Sequence, residues 1–562
     1  MLKNLFLDTA GLTFGHVRAY NRKKRSARNK QPWFGTMCKQ LRRKYHEAKT
    51  LYAKNKNIDN KMQLINASKS YKKWIFKAFS QHKFKKEKEM RQLRSDNPKD
   101  FYKILKNKER PNSNSPSTDE FFNYFSHLNK GEPNNDDVFD FNMDEVLNVV
   151  TDNDIINEKI TENEIMQAIS QLKLNKSAGV DRIINEYIKS TSTLLIPVYV
   201  KLFNTIFDNG VFPEEWHTGI IIPIFKNKGS RLNPENYRPI TLLCCCSKLF
   251  TTLLNNRLNK FIEENNIISE AQTAFRKGYS TTDHIFTLHH LIDILKKRKK
   301  KLYCAFVDFE KAFDMVPRTL LWYKLLQNNI NGKFFRIIYE MYQGLKSIIL
   351  VNNKQSALFP CNIGIRQGEN LSPILFSLYL NDIEDYLTNH GCQGVAPMSD
   401  NQNSPLDIVL HMFCLLYADD TALLSTSAND LQHTLNIFYQ YSLKWKFKIN
   451  CSKTKILIFN GTTRDYKHIF KIGNTVLENV KEYKYLGIIF TKLNNFRITK
   501  TKLSQQATKA MYFVLSKAKD NHLSTECKLK MFDSIVLPIL LYGCEVWGYE
   551  KIDIFNSVQI NF

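Results

Sequence analysis

Leu410-His411-Met412-Phe413-Cys414-Leu415-Leu416, then Tyr417-Ala418-Asp419-Asp420, then Thr421-Ala422-Leu423-Leu424, is the stretch whose reading decides the fold. An apolar run is broken by a short acidic segment and resumes. The pattern predicts strand, turn, strand: a β-hairpin with two carboxylates at its tip. A second buried strand is predicted at Leu302-Tyr303-Cys304-Ala305-Phe306-Val307, ending on Asp308. Its unbroken apolar character marks a strand covered on both faces. Acids at the ends of apolar strands destabilise the fold unless something neutralises them. The expected neutraliser is a divalent cation. Two Mg²⁺ ions about 3.5–4 Å apart, bridged by carboxylates, serve in-line phosphoryl displacement. Magnesium takes one or two carboxylates together with phosphate oxygens and water. For any one of these acids the other reading is a plain turn residue, because Asp is common in turns.

Working outward, Thr161-Glu162-Asn163-Glu164 predicts a capped helix start, running through Ile165, Ile169 and Leu172. Lys176-Ser177-Ala178-Gly179-Val180-Asp181 predicts a turn that opens a second helix. Ile220 to Phe225 reads as a strand. It leads through the basic loop Lys226-Asn227-Lys228-Gly229-Ser230-Arg231 to a returning segment, Asn236-Tyr237-Arg238-Pro239-Ile240. Leu242 to Phe261 reads as a helix. Lys311-Ala312-Phe313-Asp314 begins the turn and helix after the Asp308 strand. The triple Cys244-Cys245-Cys246 lies on the predicted helix, where neighbours point apart, so packing rather than metal binding is expected. His289-His290 is expected on a helix surface.

The chain has 562 residues and a net charge of +27, from 81 Lys/Arg against 54 Asp/Glu. An apolar fraction of 43% excludes wholesale disorder. Eleven cysteines over this length, with no C-x-x-C pair, exclude a disulfide scaffold and a zinc module. Free thiols point to a reducing compartment, hence the nucleus and cytoplasm. The longest apolar stretches, Ile408 to Ala418 and Ile535 to Trp547, are too short or too interrupted for a span of about 20 residues, so no membrane partner is expected. No secretory signal is visible at Met1-Leu2-Lys3-Asn4. The charge is uneven. Residues 1–100 hold 27 Lys/Arg against 7 Asp/Glu, whereas residues 111–160 hold 2 against 11. In the basic arm Trp33, Phe34, Met37, Leu41, Tyr45, Ala48 and Tyr52 follow helical spacing, as do Tyr71, Trp74, Ile75, Ala78 and Phe79. Two basic amphipathic helices, packed as a hairpin, are predicted. Cations interleaved with aromatics suit nucleic acid; the alternative is two solvated helices. Pro111 to Ser117 is a linker by composition.

Five segments in order then resemble the reverse transcriptases. Phe306-Val307-Asp308-Phe309-Glu310-Lys311-Ala312-Phe313-Asp314 is similar to their first palm motif. Gly364-Ile365-Arg366-Gln367-Gly368-Glu369-Asn370-Leu371-Ser372-Pro373 is similar to the second, and Tyr417-Ala418-Asp419-Asp420 to the third. Asn450 to Lys455 and Tyr483-Lys484-Tyr485-Leu486-Gly487 are similar to the fourth and fifth. Lys176 to Asp181, Tyr237 to Ile240 and Gln272 to Thr282 resemble the extended fingers of non-LTR retrotransposon polymerases. Leu537 to Trp547 resembles their thumb region, and the jockey-like branch fits best.

The resemblance implies an α+β fold: a right-hand polymerase of fingers, palm and thumb with an antiparallel palm sheet, preceded by a basic helical N-terminal arm. The implied organisation is an arm over 1–110, an acidic linker over 111–160, fingers and palm over 161–490, and a thumb with the start of a truncated C-terminal region over 491–562. No upstream endonuclease is visible. The implied activity is RNA-directed DNA polymerisation, extending a DNA 3′-hydroxyl on an RNA template by two-metal nucleotidyl transfer. The alternative is a catalytically silent RNA-binding relic. Implied partners are template RNA, a DNA primer or nicked target DNA, and deoxynucleoside triphosphates.

By the same resemblance Asp308, Asp419 and Asp420 hold two Mg²⁺ ions, with Mn²⁺ as a substitute. Asp420 is the weaker or outer partner. Phe309 to Ala312 lie beside the triphosphate, and Phe313 is the steric gate against a ribose 2′-hydroxyl, its other reading being core packing. Lys226 and Arg238 clamp the triphosphate, with Lys228 as an alternative to Lys226 and a plain basic loop as the other reading. Gln367, Gly368 and Tyr417 border the nucleotide and template. Lys453 is the general acid to the pyrophosphate, with Lys455 as its rival. Tyr485, Leu486 and Gly487 sit in the primer grip.

Overall fold

The computed structural model describes residues 31–96, 101, 115–131, 155–395, 412–520, 523–549, 555 and 558. Most of the expected acidic linker, the first thirty residues and Leu410-His411 lie outside the described residues. The chain divides into two compact units. One holds Pro111–Phe496; the other joins Val17–Arg110 to Arg497–Phe562. The arm and the segment after residue 496, expected as separate regions, thus share one unit.

The strands that matter to the first unit run, in chain order, β1 (Thr218–Phe225), β2 (Tyr237–Leu242), β3 (Leu302–Val307), β4 (Lys346–Val351), β5 (Cys414–Tyr417), β6 (Asp420–Ser425), β7 (Lys455–Phe459), β8 (Glu478–Val480), β9 (Glu482–Tyr485) and β10 (Ile488–Thr491). The central sheet has the order β8-β7-β3-β6-β5. All its pairs are antiparallel except the edge pair β7·β8, which is parallel. That edge departs from the all-antiparallel expectation. β8 is reached from β7 through a separate short hairpin at Lys471–Val476, long enough to bring the chain back in the same direction.

Every residue of β3 is buried, which is what an uninterrupted apolar strand in a sheet centre requires. Helix Ala428–Lys444 covers the sheet through contacts with β6 and β3. Its buried Leu431, Leu435 and Phe438 recur at helical spacing. A second sheet has the order β2-β1-β4, with β1·β2 antiparallel and β1·β4 parallel. Pro239 lies in edge strand β2, where a missing N–H is tolerated.

The predicted helix at Thr161 is Glu162–Gln171, and Thr161 with Glu164 forms a reciprocal capping box. The predicted helix over 242–261 is Cys245–Glu264, three residues late at each end. Cys244, Cys245 and Cys246 are buried, and burial pushes each thiol up. Of the two histidines, His290 is exposed, while His289 is half-buried and bonded to Asn494.

In the second unit, helices Thr36–Lys54 and Ile58–Asp96 pack together as a hairpin. Trp33 meets Phe79 edge to face at 5.5 Å, and Tyr45 stacks on Tyr71 at 5.8 Å. One expected contact differs: Met37 is exposed, and the neighbouring Cys38 takes the inner position. The unit continues with helices Arg497–Asp520 and Thr525–Met531.

Candidate active site

Register brings the acids together. Val307 on β3 lies opposite Thr421 on β6, so the next residues outward, Asp308 and Asp420, leave the sheet at the same end. Tyr417 pairs with Asp420, leaving Ala418 and Asp419 as a two-residue turn. Ala418 adopts a left-handed φ of 56° to make it. Asp419 and Asp420 are exposed at this tip, yet protein crowds them. Burial raises the Asp419 carboxyl; Asp308 adds to the rise, while Lys453 and Arg238 oppose it. Burial, then the charges of Asp419 and Asp308, push Asp420 up to about 6. Water reaches the carboxylate oxygens, but the protein packed around them leaves them poorly solvated, which disfavours the charged form.

Asp308 is braced from behind by β7's approach. Its N–H donates to Thr454 Oγ1 at 3.3 Å, and its carbonyl accepts the Asn450 N–H at 2.8 Å. Lys453 Nζ donates to Asp308 Oδ2 at 2.9 Å. The rival Lys455 is engaged elsewhere, on Glu478 Oε2 and the Ser452 carbonyl, both at 2.7 Å. Among the described residues no group of three or more His, Cys, Asp or Glu is gathered in ligand geometry. The donor set still fits a hard divalent cation. Its carboxylates repel one another, are held at one sheet end and reach water, and Asp308 already carries a cationic partner.

The basic loop between β1 and β2 supplies the other charges. Arg238 pairs across the hairpin with Ile224 and is exposed. Lys226 donates to the Glu235 carbonyl at 2.9 Å. Burial lowers its ammonium, Asp314 opposes, and Arg238 and Lys453 lower it further. Lys226, Arg238 and Lys453 therefore share one field with the acids. Lys228 is exposed.

The segment 364–373 docks on the turn after β3. The N–H groups of Gly364 and Ile365 donate to the carbonyls of Val316 and Phe313, both at 2.9 Å. A Cβ on Gly364, at φ +80°, would meet the Asp314 carbonyl oxygen at 2.5 Å. The Gln367 carbonyl accepts the Thr241 N–H at 2.8 Å. A Cβ on Gly368, at φ +118°, would stand 2.7 Å from the Thr241 oxygen. Only glycine permits both approaches. Gln367 Nε2 then donates to Asp314 Oδ1 at 2.9 Å. Burial lifts Asp314 to about 6, against the Gln367 hydrogen bond and the charges of Lys226 and Lys311. Sequence reasoning quoted Asp314 inside its motif but assigned it no role; only the fold reveals its partner.

Phe309 is buried, its ring packed against Phe438 and Phe447. Ala312 and Phe313 are half-buried, and the Phe313 ring stacks on Phe376 at 4.6 Å. The turn Ala312–Met315 is a 3-10 segment, and the following helix starts only at Arg318, behind Pro317. Tyr417 is half-buried with its ring edge-on to His284. Tyr485 is buried, while Leu486 and Gly487, both at positive φ, form the two-residue tip of the β9–β10 hairpin.

Residues 225–490 match the family described as Reverse transcriptase (RNA-dependent DNA polymerase). The chain is 28% identical over 416 residues to the probable RNA-directed DNA polymerase from transposon BS of Drosophila melanogaster, covering 71% of this chain and 43% of that protein. It is 28% identical over 417 residues to the RNA-directed DNA polymerase from mobile element jockey of Drosophila funebris, covering 72% and 43%. It is also similar to the Retrovirus-related Pol polyprotein from type-1 retrotransposable element R2 of Nasonia vitripennis, 24% identical over 53% of this chain and 28% of that protein. The chain thus spans less than half the length of the curated relatives it matches. Residues 225–490 therefore carry the likeness to the reverse transcriptases, and the chain is similar to the RNA-directed DNA polymerases of jockey-like non-LTR retrotransposons.

Proposed function

We propose that the chain is an RNA-directed DNA polymerase that extends a DNA 3′-hydroxyl on an RNA template. The observation that carries this reading is the meeting of Asp308 with the Asp419-Asp420 turn at one sheet end, within the field of Lys226, Arg238 and Lys453. On this reading the central sheet is the palm, the β1–β2 hairpin belongs to the fingers, and the helices after residue 496 to the thumb.

Two divalent ions, Mg²⁺ or Mn²⁺, would supply activation of the primer hydroxyl and stabilisation of the leaving pyrophosphate. Asp308 and Asp419 are the residues proposed to hold them, with Asp420 as the outer partner because adjacent tip residues point apart. Arg238 and Lys226 bind the triphosphate, Arg through its planar fork. Lys453 exchanges Asp308 for the incoming phosphates and gives its proton to the pyrophosphate. The backbone of Phe309 to Ala312 lies beside the triphosphate. Phe313, held upright by Phe376, meets the sugar and excludes a 2′-hydroxyl. Gln367, oriented by Asp314, and Gly368 border the base pair together with Tyr417. Leu486 and Gly487, anchored by buried Tyr485, form the primer grip.

The second unit fits template RNA. At the open end of its helical hairpin a cavity of about 790 Å³ is lined by Trp33, Phe34, Tyr71, Lys39, Arg42 and Arg43. Aromatic faces beside guanidinium groups suit unpaired bases and their phosphates.

The test is primer extension. Wild-type chain, a DNA primer annealed to RNA, deoxynucleoside triphosphates and Mg²⁺ should yield extended DNA. Binding of the RNA without any extension would refute the enzyme reading in favour of an RNA-binding relic.

A further inference from the structure

The acidic turn needs a holder. Ala418, the residue before Asp419, sits at φ 56°, a conformation L residues avoid unless their surroundings impose it. β5 is the last strand of its sheet, so no further strand pairs with its outer edge. The segment after helix Cys245–Glu264 closes that edge. Leu416 N–H donates to the Ala271 carbonyl at 2.8 Å, and Thr273 N–H donates to the Leu416 carbonyl at 3.2 Å.

Between those two bonds lies Gln272, with no exposed surface. Its Oε1 accepts the Ala418 N–H at 3.2 Å and the Ala274 N–H at 3.1 Å. Its Nε2 is buried and makes no hydrogen bond among the described residues. The amide is therefore used through its acceptor alone. A second support stands beside it. His284, buried, bonds Thr273 Oγ1 at 3.0 Å and the Tyr485 hydroxyl at 3.3 Å, with its ring edge-on to Tyr417.

We propose that Gln272 is a positioning residue: it holds the Ala418 N–H and thereby aims the Asp419 carboxylate, with His284 bracing Tyr417 from the same side. The proposal deepens the polymerase reading and rests on Asp419 serving metal-dependent synthesis. A buried N–H left without its acceptor is disfavoured, so loss of Gln272 Oε1 frees the turn to leave its left-handed conformation. The carboxylate would then be present but misaimed, which lowers turnover more than substrate binding.

Two variants of the full chain separate this from general destabilisation. Gln272→Met keeps the size and removes the acceptor. Gln272→Glu keeps an acceptor oxygen and replaces the unpartnered NH₂ by a second oxygen. Hydrogen exchange at the Ala418 amide is read together with kcat, the KM for deoxynucleotide and RNA affinity. In Gln272→Met, Ala418 should exchange about tenfold faster or more and kcat should fall by a similar factor, with KM and RNA affinity within about twofold. In Gln272→Glu the Ala418 amide should stay protected. Slow Ala418 exchange in the Met variant, unchanged kcat despite fast exchange, or loss of protection in the Glu variant would each overturn the proposal. Should the Met variant not fold, protection in the Glu variant alone decides. Exchange is measurable without synthesis, so an inactive wild-type chain would refute the polymerase reading and leave the latch separately tested.

Discussion

Replacing Lys453 by Met should separate catalysis from stability. Its Nζ lies 2.9 Å from Asp308 Oδ2, with the lysine side chain 55% and the aspartate 29% exposed. At an effective dielectric of 20, Coulomb's law assigns such a pair about 6 kcal/mol. Water at the exposed ammonium screens most of it, so the net contribution to folding is about 0–1 kcal/mol. The proposed catalytic role is worth far more: a positioned general acid contributes about 10²–10⁴-fold. Lys453→Met should therefore unfold in urea within about 1 kcal/mol of wild type, while single-turnover extension slows by about 10²-fold or more. Lys455→Met is the control, because Lys455 is bound to Glu478 at the sheet edge. It should extend primers within about twofold of wild type. A wild-type rate for Lys453→Met, or an equal loss from Lys455→Met, would refute the reasoning.

Three further variants have expected outcomes. Arg257 is buried and donates to both oxygens of Glu164 and to the carbonyls of Glu158 and Lys159; Arg257→Met should destabilise the first unit by about 3–5 kcal/mol in a denaturant titration. Burial raises the Glu164 carboxyl, but the Arg257 hydrogen bonds, the Thr161 N–H and Arg257's charge outweigh it and hold the group below its usual 4.5. Its stabilisation is thus full above pH 4.5 and lost as pH falls through the lower folded value; in Arg257→Met the wild-type decline below that pH should flatten, and an unchanged acid limb would contradict the pairing. Phe313→Ala should raise ribonucleotide incorporation relative to deoxynucleotide, measured as a ratio of kcat/KM; an unchanged ratio removes the gate. Neutralising Lys39, Arg42 and Arg43 to Gln should make RNA binding less salt-dependent, lowering the log–log slope by about 0.7 per lost phosphate contact; an unchanged slope places the RNA elsewhere.

The strands carrying Asp308 and Asp419 could be read from sequence because burial on both faces demands unbroken apolar runs, and a charge within them forces a turn. The Thr161 cap was readable for a similar reason: its two partners lie three residues apart, and short-range geometry repeats from protein to protein. What stayed hidden depends on long-range packing. Lys453 and Lys455 look alike in sequence. Only the pairing of β7 with β3 and β8 sends one to Asp308 and the other to Glu478. Gln367 meets Asp314 across 53 residues, and Gln272 meets Ala418 across 146. Met37 and Cys38 exchange inner and outer places because a shift of one residue rotates a helix face by about 100°, and composition leaves that choice open. The joining of the arm with the chain beyond residue 496 in one unit likewise has no local signature.

Carboxylates at the end of β3 and β6 are proposed to perform metal-dependent synthesis on RNA. The most direct measurement compares wild-type and Asp419→Asn chains in extending a DNA primer on an RNA template across a Mg²⁺ titration, with RNA affinity measured in parallel. Asp419→Asn should lose extension by about 10³-fold or more at every Mg²⁺ concentration, with RNA bound as tightly as by wild type. Undiminished synthesis by Asp419→Asn would contradict that role.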